Sequence, residues 1–90
     1  MANGHATITN RLGLHARPAM SFVQLANTFS ARVLVRRADS TEWVDGKSIM
    51  QMLLLAATQE TVLEVNCEGA DDEEALAGIL RLISAGFDEE

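Results

Sequence analysis

The chain has no tyrosine, one cysteine, one proline and one tryptophan in 90 residues. A lone thiol, Cys67, cannot close an intrachain disulfide, which suits a reducing compartment. No apolar run is long enough to span a bilayer, and no basic-then-apolar leader opens the chain. These absences predict a cytoplasmic protein with no membrane insertion. Metal chemistry finds little footing: His5 and His15 are the only histidines, and no cluster of carboxylates or thiolates accompanies them. A hydrolase reading fares no better, because no Ser/His/acid spacing is defensible. Basic residues are nearly missing from the second half. Residues 48–90 carry Arg81 alone against ten acids, whereas residues 1–47 carry six Lys/Arg against three acids. A net charge of −6 with no aromatic ladder makes a poor nucleic-acid binder, including one of the ferredoxin-like kind. The basic half is where an anion would be received.

What is present is a core's worth of apolar residues, 48% of the chain, and enough length for one domain over residues 1–90. There is no internal repeat or interdomain linker. Residues 5–10 alternate apolar and polar, which predicts a strand with Ala6 and Ile8 inward. Asn10 to Gly13 reads as a turn. Ala19, Phe22, Ala26 and Phe29 recur at helical spacing, predicting a helix over 18–29 with Met20 off the core stripe and available to a partner. Residues 31–38 are β-rich, and Asp39-Ser40 turns them into a short return over 41–44, closed by Asp45-Gly46. Trp43 is expected to cover sheet surface.

Ser48, with Gln51 three positions on, predicts a capping box for a helix through Leu55. That helix is apolar nearly all round, so Ile49, Met50 and Leu53 are expected to form an exposed docking patch. Leu63, Val65 and Cys67 mark one face of a strand over 61–67. Asp71 with Glu74 predicts a second capping box, for a helix whose stripe is Leu76, Ile79, Leu80, Ile83 and Phe87. Asp88-Glu89-Glu90 reads as a solvated tail. The order β-α-β-β-α-β-α predicts an α+β open-faced sandwich: a four-stranded antiparallel sheet with three helices on one face.

The chemistry concentrates in Gly13-Leu14-His15-Ala16-Arg17-Pro18-Ala19. Pro is tolerated in the first turn of a helix, so His15 is placed at a helix start. The amides of Ala16 and Arg17 would head the helix, where the positive end disfavours an imidazolium and welcomes an anion. Arg17 adds a planar guanidinium suited to phosphate oxygens. Nucleophile, anion pocket and clamp thus fall within three residues.

This string resembles the phosphorylation site of the HPr family, the histidine phosphocarriers of the bacterial phosphoenolpyruvate-dependent phosphotransferase system, and the resemblance runs over essentially the whole chain. It implies the same open-faced sandwich. It also implies that His15 accepts a phosphoryl group on Nδ1 from phosphorylated enzyme I and passes it to an EIIA protein or domain, with Arg17 assisting. The protein would then be a covalent carrier, not a turnover enzyme, with no cofactor and no need of an obligate oligomer.

Lys47-Ser48-Ile49-Met50 resembles the regulatory site that an HPr kinase/phosphorylase modifies on its serine. Residues 9–20 and the ending Ser84-Ala85-Gly86-Phe87-Asp88-Glu89-Glu90 are similar to NPr, the nitrogen-related branch. Sugar uptake and nitrogen regulation therefore both stay open. Many relatives carry Gly where Glu60 stands, so a left-handed backbone there would be strained. The competing reading is a regulatory interaction module acting through the Ile49/Met50 patch without obligatory phosphotransfer. Loss or retention of function on replacing His15 separates the two.

Overall fold

The computed structural model describes residues 1–88. Its elements are β1 (Ala2–Thr7), α1 (Ala16–Ala26), β2 (Arg32–Arg37), β3 (Val44–Asp45), α2 (Ile49–Leu54), β4 (Val62–Glu68) and α3 (Asp72–Ser84), followed by a 3-10 turn over Gly86–Asp88. The strands form one antiparallel sheet in the order β1-β4-β2-β3, with all three helices on one face. The predicted architecture and element order are both present.

Alternation put the core where it lies. Ala6 and Ile8, Val33 and Val35, and Leu63, Val65 and Cys67 are buried on the helix side of the sheet. Phe22 of α1, Met52 of α2 and Ile79 and Ile83 of α3 are fully buried above them. Each large side chain so buried contributes about 1.5–3 kcal/mol, offset by the entropy of ordering the chain. Helix α3 lies over the β1 edge, where Leu76 and Leu80 pack above Gly4. On the opposite face Arg36 bonds the Glu64 carboxylate and sits 5.0 Å from the Trp43 ring centroid. Trp43 therefore does cover sheet surface, held by a cation–π contact as well as by area.

Several boundaries differ from the sequence expectation, each for a physical reason. Strand β1 begins at Ala2, not His5, because β4 offers partners as far as Cys67. Helix α1 starts at Ala16 and ends at Ala26; Phe29, three residues beyond, is half-buried. Strand β3 keeps only Val44 and Asp45, paired with Val35 and Leu34. Residues 41–43 leave the ladder where the Arg36 guanidinium takes the Ser40 carbonyl at 2.9 Å.

Both predicted capping boxes are incomplete. Ser48 Oγ accepts from the Gln51 amide at 3.3 Å, but the Gln51 side chain turns away and accepts from the Asp45 amide at 2.8 Å. Asp71 precedes α3 without capping it. Its carboxylate reaches across to the loop after α1 and accepts from the Ala31 amide at 2.8 Å and the Ser30 amide at 2.9 Å. Two amides from a distant segment win over one local amide. Finally, Asp88 is not tail: it closes the 3-10 turn, with φ +61 after Phe87 at φ +57. Glu89 and Glu90 lie outside the described residues.

Candidate functional site

His15 is the N-cap residue of α1, extended at φ −83 and ψ −169, and its carbonyl accepts from the Ala19 amide at 3.0 Å. Pro18 takes the third helical position, buried, and brings no amide of its own. The amides of Ala16 and Arg17 head the helix, with no turn before them to accept their protons. His15 is half-buried; Ala16 and Arg17 are exposed. His15, the start of α1 and Arg17 therefore lie close together.

The backbone just before His15 is fixed from two sides. Gly13 has φ +71, and a Cβ there would stand 2.6 Å from the Ala57 carbonyl oxygen. The same carbonyl accepts from the Leu14 amide at 2.9 Å. Asn10, 3% exposed, donates from Nδ2 to the Gly13 carbonyl at 2.7 Å. These bonds set the entry into α1 and so the place of the imidazole.

His15 opens into a cleft of about 580 Å³ lined also by Arg11, Leu12, Arg17, Ser21, Phe87 and Asp88. On its other side a shallow depression is lined by His15, Ala16, Arg17, Met20, Ser21 and Gln24. Arg11, Phe87 and Asp88 were not legible as site residues. Arg11 reads as part of a turn, and the left-handed step at Phe87 that brings Asp88 to the cleft is unusual for a non-glycine residue.

The second expected site is the start of α2. Ser48 is its N-cap, half-buried, and α2 packs beside α1. Met50 is 77% exposed, Leu53 42% and Met20 45%. Ile49 is a correction: it is half-buried and packs against the core. Its place in the apolar surface is taken by Leu54, 77% exposed, which the sequence reading passed over. With Met52 and Leu55 buried, Leu54 falls on the outer side of the short helix.

A family model described as the PTS HPr component phosphorylation site matches residues 3–85. The chain belongs to the HPr family. Phosphocarrier protein NPr of Escherichia coli K12 is 42% identical over 83 residues, covering 92% of this chain and 91% of that protein. Phosphocarrier protein HPr of Pseudomonas aeruginosa is 46% identical over 83 residues with the same coverage. Among solved structures, an HPr from Thermoanaerobacter tengcongensis superposes with a TM-score of 0.92 at 40% identity, covering 100% of this chain and 99% of the other. HPr-family membership makes the protein a phosphocarrier-type component of the phosphotransferase system. The mixed resemblance to the HPr and NPr branches persists in these relatives.

No helix among the described residues is long and apolar enough to cross a membrane.

Proposed function

We propose that His15 is the phosphoryl acceptor, that phosphorylated enzyme I is the donor and that an EIIA protein or domain is the recipient. The observation that carries this is the join of an imidazole to a helix start, with the Arg17 guanidinium in the same cleft. A lone pair on the ring nitrogen forms the new N–P bond while the donor's bond to phosphorus breaks and its electron pair returns to the donor. No oxidant or cofactor is required. The transferring group carries its charge on three oxygens, which the Ala16 and Arg17 amides and the Arg17 guanidinium are suited to receive. Onward transfer repeats the step with the partner's nucleophile, so the protein is a shuttle between partners and not a turnover catalyst.

Met20, Met50, Leu53 and Leu54 supply a surface to which both partners dock in turn, as transient complexes require. The protein acts as a monomer in the cytoplasm. Ser48 is a regulatory phosphorylation site for an HPr kinase/phosphorylase. Phosphate there would sit at the start of α2, beside exposed Met50, and weaken partners that need that surface uncharged.

The test is intact-protein mass spectrometry after incubation with phosphoenolpyruvate, Mg²⁺ and enzyme I, with His15→Ala alongside. One acid-labile phosphate on the wild type and none on the variant is expected. An unmodified wild type, with enzyme I active on a control carrier, would overturn the reading. For Ser48 the expected result is one acid-stable phosphate with the kinase and ATP, absent from Ser48→Ala.

A further inference from the structure

We propose that Arg11 is a second phosphate-binding cation of this site, contacting the phosphoryl group on His15 alongside Arg17. The inference rests on the reading of His15 as phosphoryl acceptor. Arg11 comes from the loop after β1, whereas Arg17 comes from α1, yet both line the cleft onto which His15 opens. A loop arginine is ordinarily a wandering charge with little purchase on a ligand. This one springs from a backbone held on both flanks. Gln59 donates to the Thr9 carbonyl at 3.0 Å, the Gly13 amide donates to the Asn10 carbonyl at 3.1 Å, and Asn10 Nδ2 closes the turn onto Gly13.

Among the described residues, neither Arg11 nor Arg17 is tied into an ion pair, while Arg36 and Arg37 are bound to Glu64 and Asp39. Among the described residues, the charged and titratable groups lining the cleft are Arg11, Arg17, His15 and Asp88. Among these groups the Asp88 carboxylate offsets one of the two guanidiniums, so Arg17 and Asp88 by themselves would balance. Arg11 adds the cation that tips this set to positive, in a chain whose net charge is −6. A phosphoryl group approaching dianionic charge at neutral pH is stabilised by that added cation.

The experiment is a ³¹P NMR pH titration of the protein phosphorylated by enzyme I and phosphoenolpyruvate. Removing a nearby cation raises the pH at which the phosphohistidine ionises. The Arg11→Gln midpoint is expected about half a pH unit above wild type, the size of an exposed charge pair. Arg11→Lys, which keeps the charge, should stay near wild type. Arg32→Gln, the same charge change at a residue outside the cleft, should not move it. An Arg11→Gln midpoint that coincides with wild type, while Arg17→Gln shifts, would overturn the proposal and leave His15 standing. Absence of any phosphohistidine signal in the wild type would instead overturn the acceptor reading beneath it. Loss of fold as a cause is checked with Arg11→Met, expected to match Arg11→Gln in midpoint and the wild type in amide spectrum.

Discussion

The side chain of Asn10 and the carbonyl of Gly13 meet at 2.7 Å, inside the turn that delivers the chain to His15. Asn10→Ala removes that donor from a nearly closed environment. The expected loss is about 1–3 kcal/mol of stability, read by urea denaturation. A slower phosphoryl uptake should accompany it, since the same turn places Arg11 and the imidazole.

Glu60 stands at φ +74, and its amide donates to the Ile8 carbonyl at 2.7 Å. The backbone is thus held left-handed by a bond it cannot exchange cheaply. Left-handed geometry costs an L-residue about 1–2 kcal/mol, and glycine's extra freedom in the unfolded chain returns about 0.5–1 kcal/mol of that. Glu60→Gly should therefore stabilise by about 0.5–1 kcal/mol, raising the melting temperature by about 2–8 °C. A thermal melt followed by circular dichroism reads it directly, and a lower melting temperature would contradict the strain.

Acid should lower the protein's stability through a small set of carboxylates. The Ser30 amide, with that of Ala31, holds the Asp71 carboxyl below the usual range. The Met1 ammonium does the same for Asp72, and the Arg37 guanidinium for Asp39. A folded value below the unfolded one gives stability that is present above about pH 4 and drains as pH falls through the folded values. The Met1 ammonium is raised by its bond to Asp72, so that contribution is present at neutral pH and is lost as pH rises through the raised value. Urea midpoints from pH 2.5 to 9 should show a plateau falling on both sides. Asp71→Asn should lower the plateau and meet the wild-type curve at the acid end; parallel curves would refute the assignment.

Met50 and Leu54 are both exposed on α2, and Leu54 also lines a shallow groove with Val44 and Leu55. Replacing both with Ser should change stability by less than about 0.5 kcal/mol. The apparent KM for enzyme I should rise about tenfold while the maximal rate changes little, because docking is lost and chemistry is not. An unchanged KM would remove this face from the docking surface.

The legible parts of this molecule were those written in short-range pattern. Val33 and Val35, or Leu63, Val65 and Cys67, declare their face by alternation. His15 declares its helix start through the residues that follow it. Met50 was exposed because a six-residue helix cannot bury every side. What stayed hidden depended on who arrives from elsewhere. Nothing near Asp71 says that Ser30 and Ala31 will claim its carboxylate before its own helix does. Ile49 and Leu54 exchange roles by a fraction of a helical turn, finer than an apolar run can specify. Phe87 and Asp88 enter the site through left-handed backbone angles that local propensity does not encode, and Arg11 through a turn whose direction is set by distant partners.

The sheet order has a consequence for biosynthesis. β4 lies between β1 and β2, and Ala2 finds its partner only in Cys67. A growing polypeptide leaving the ribosome therefore cannot close the four-stranded sheet before β4 has been made. Its edge strand must wait, unpaired, until residue 68 has been added. Closing the sheet is therefore a long-range step, and β1 gains its only strand neighbour among the described residues late in synthesis.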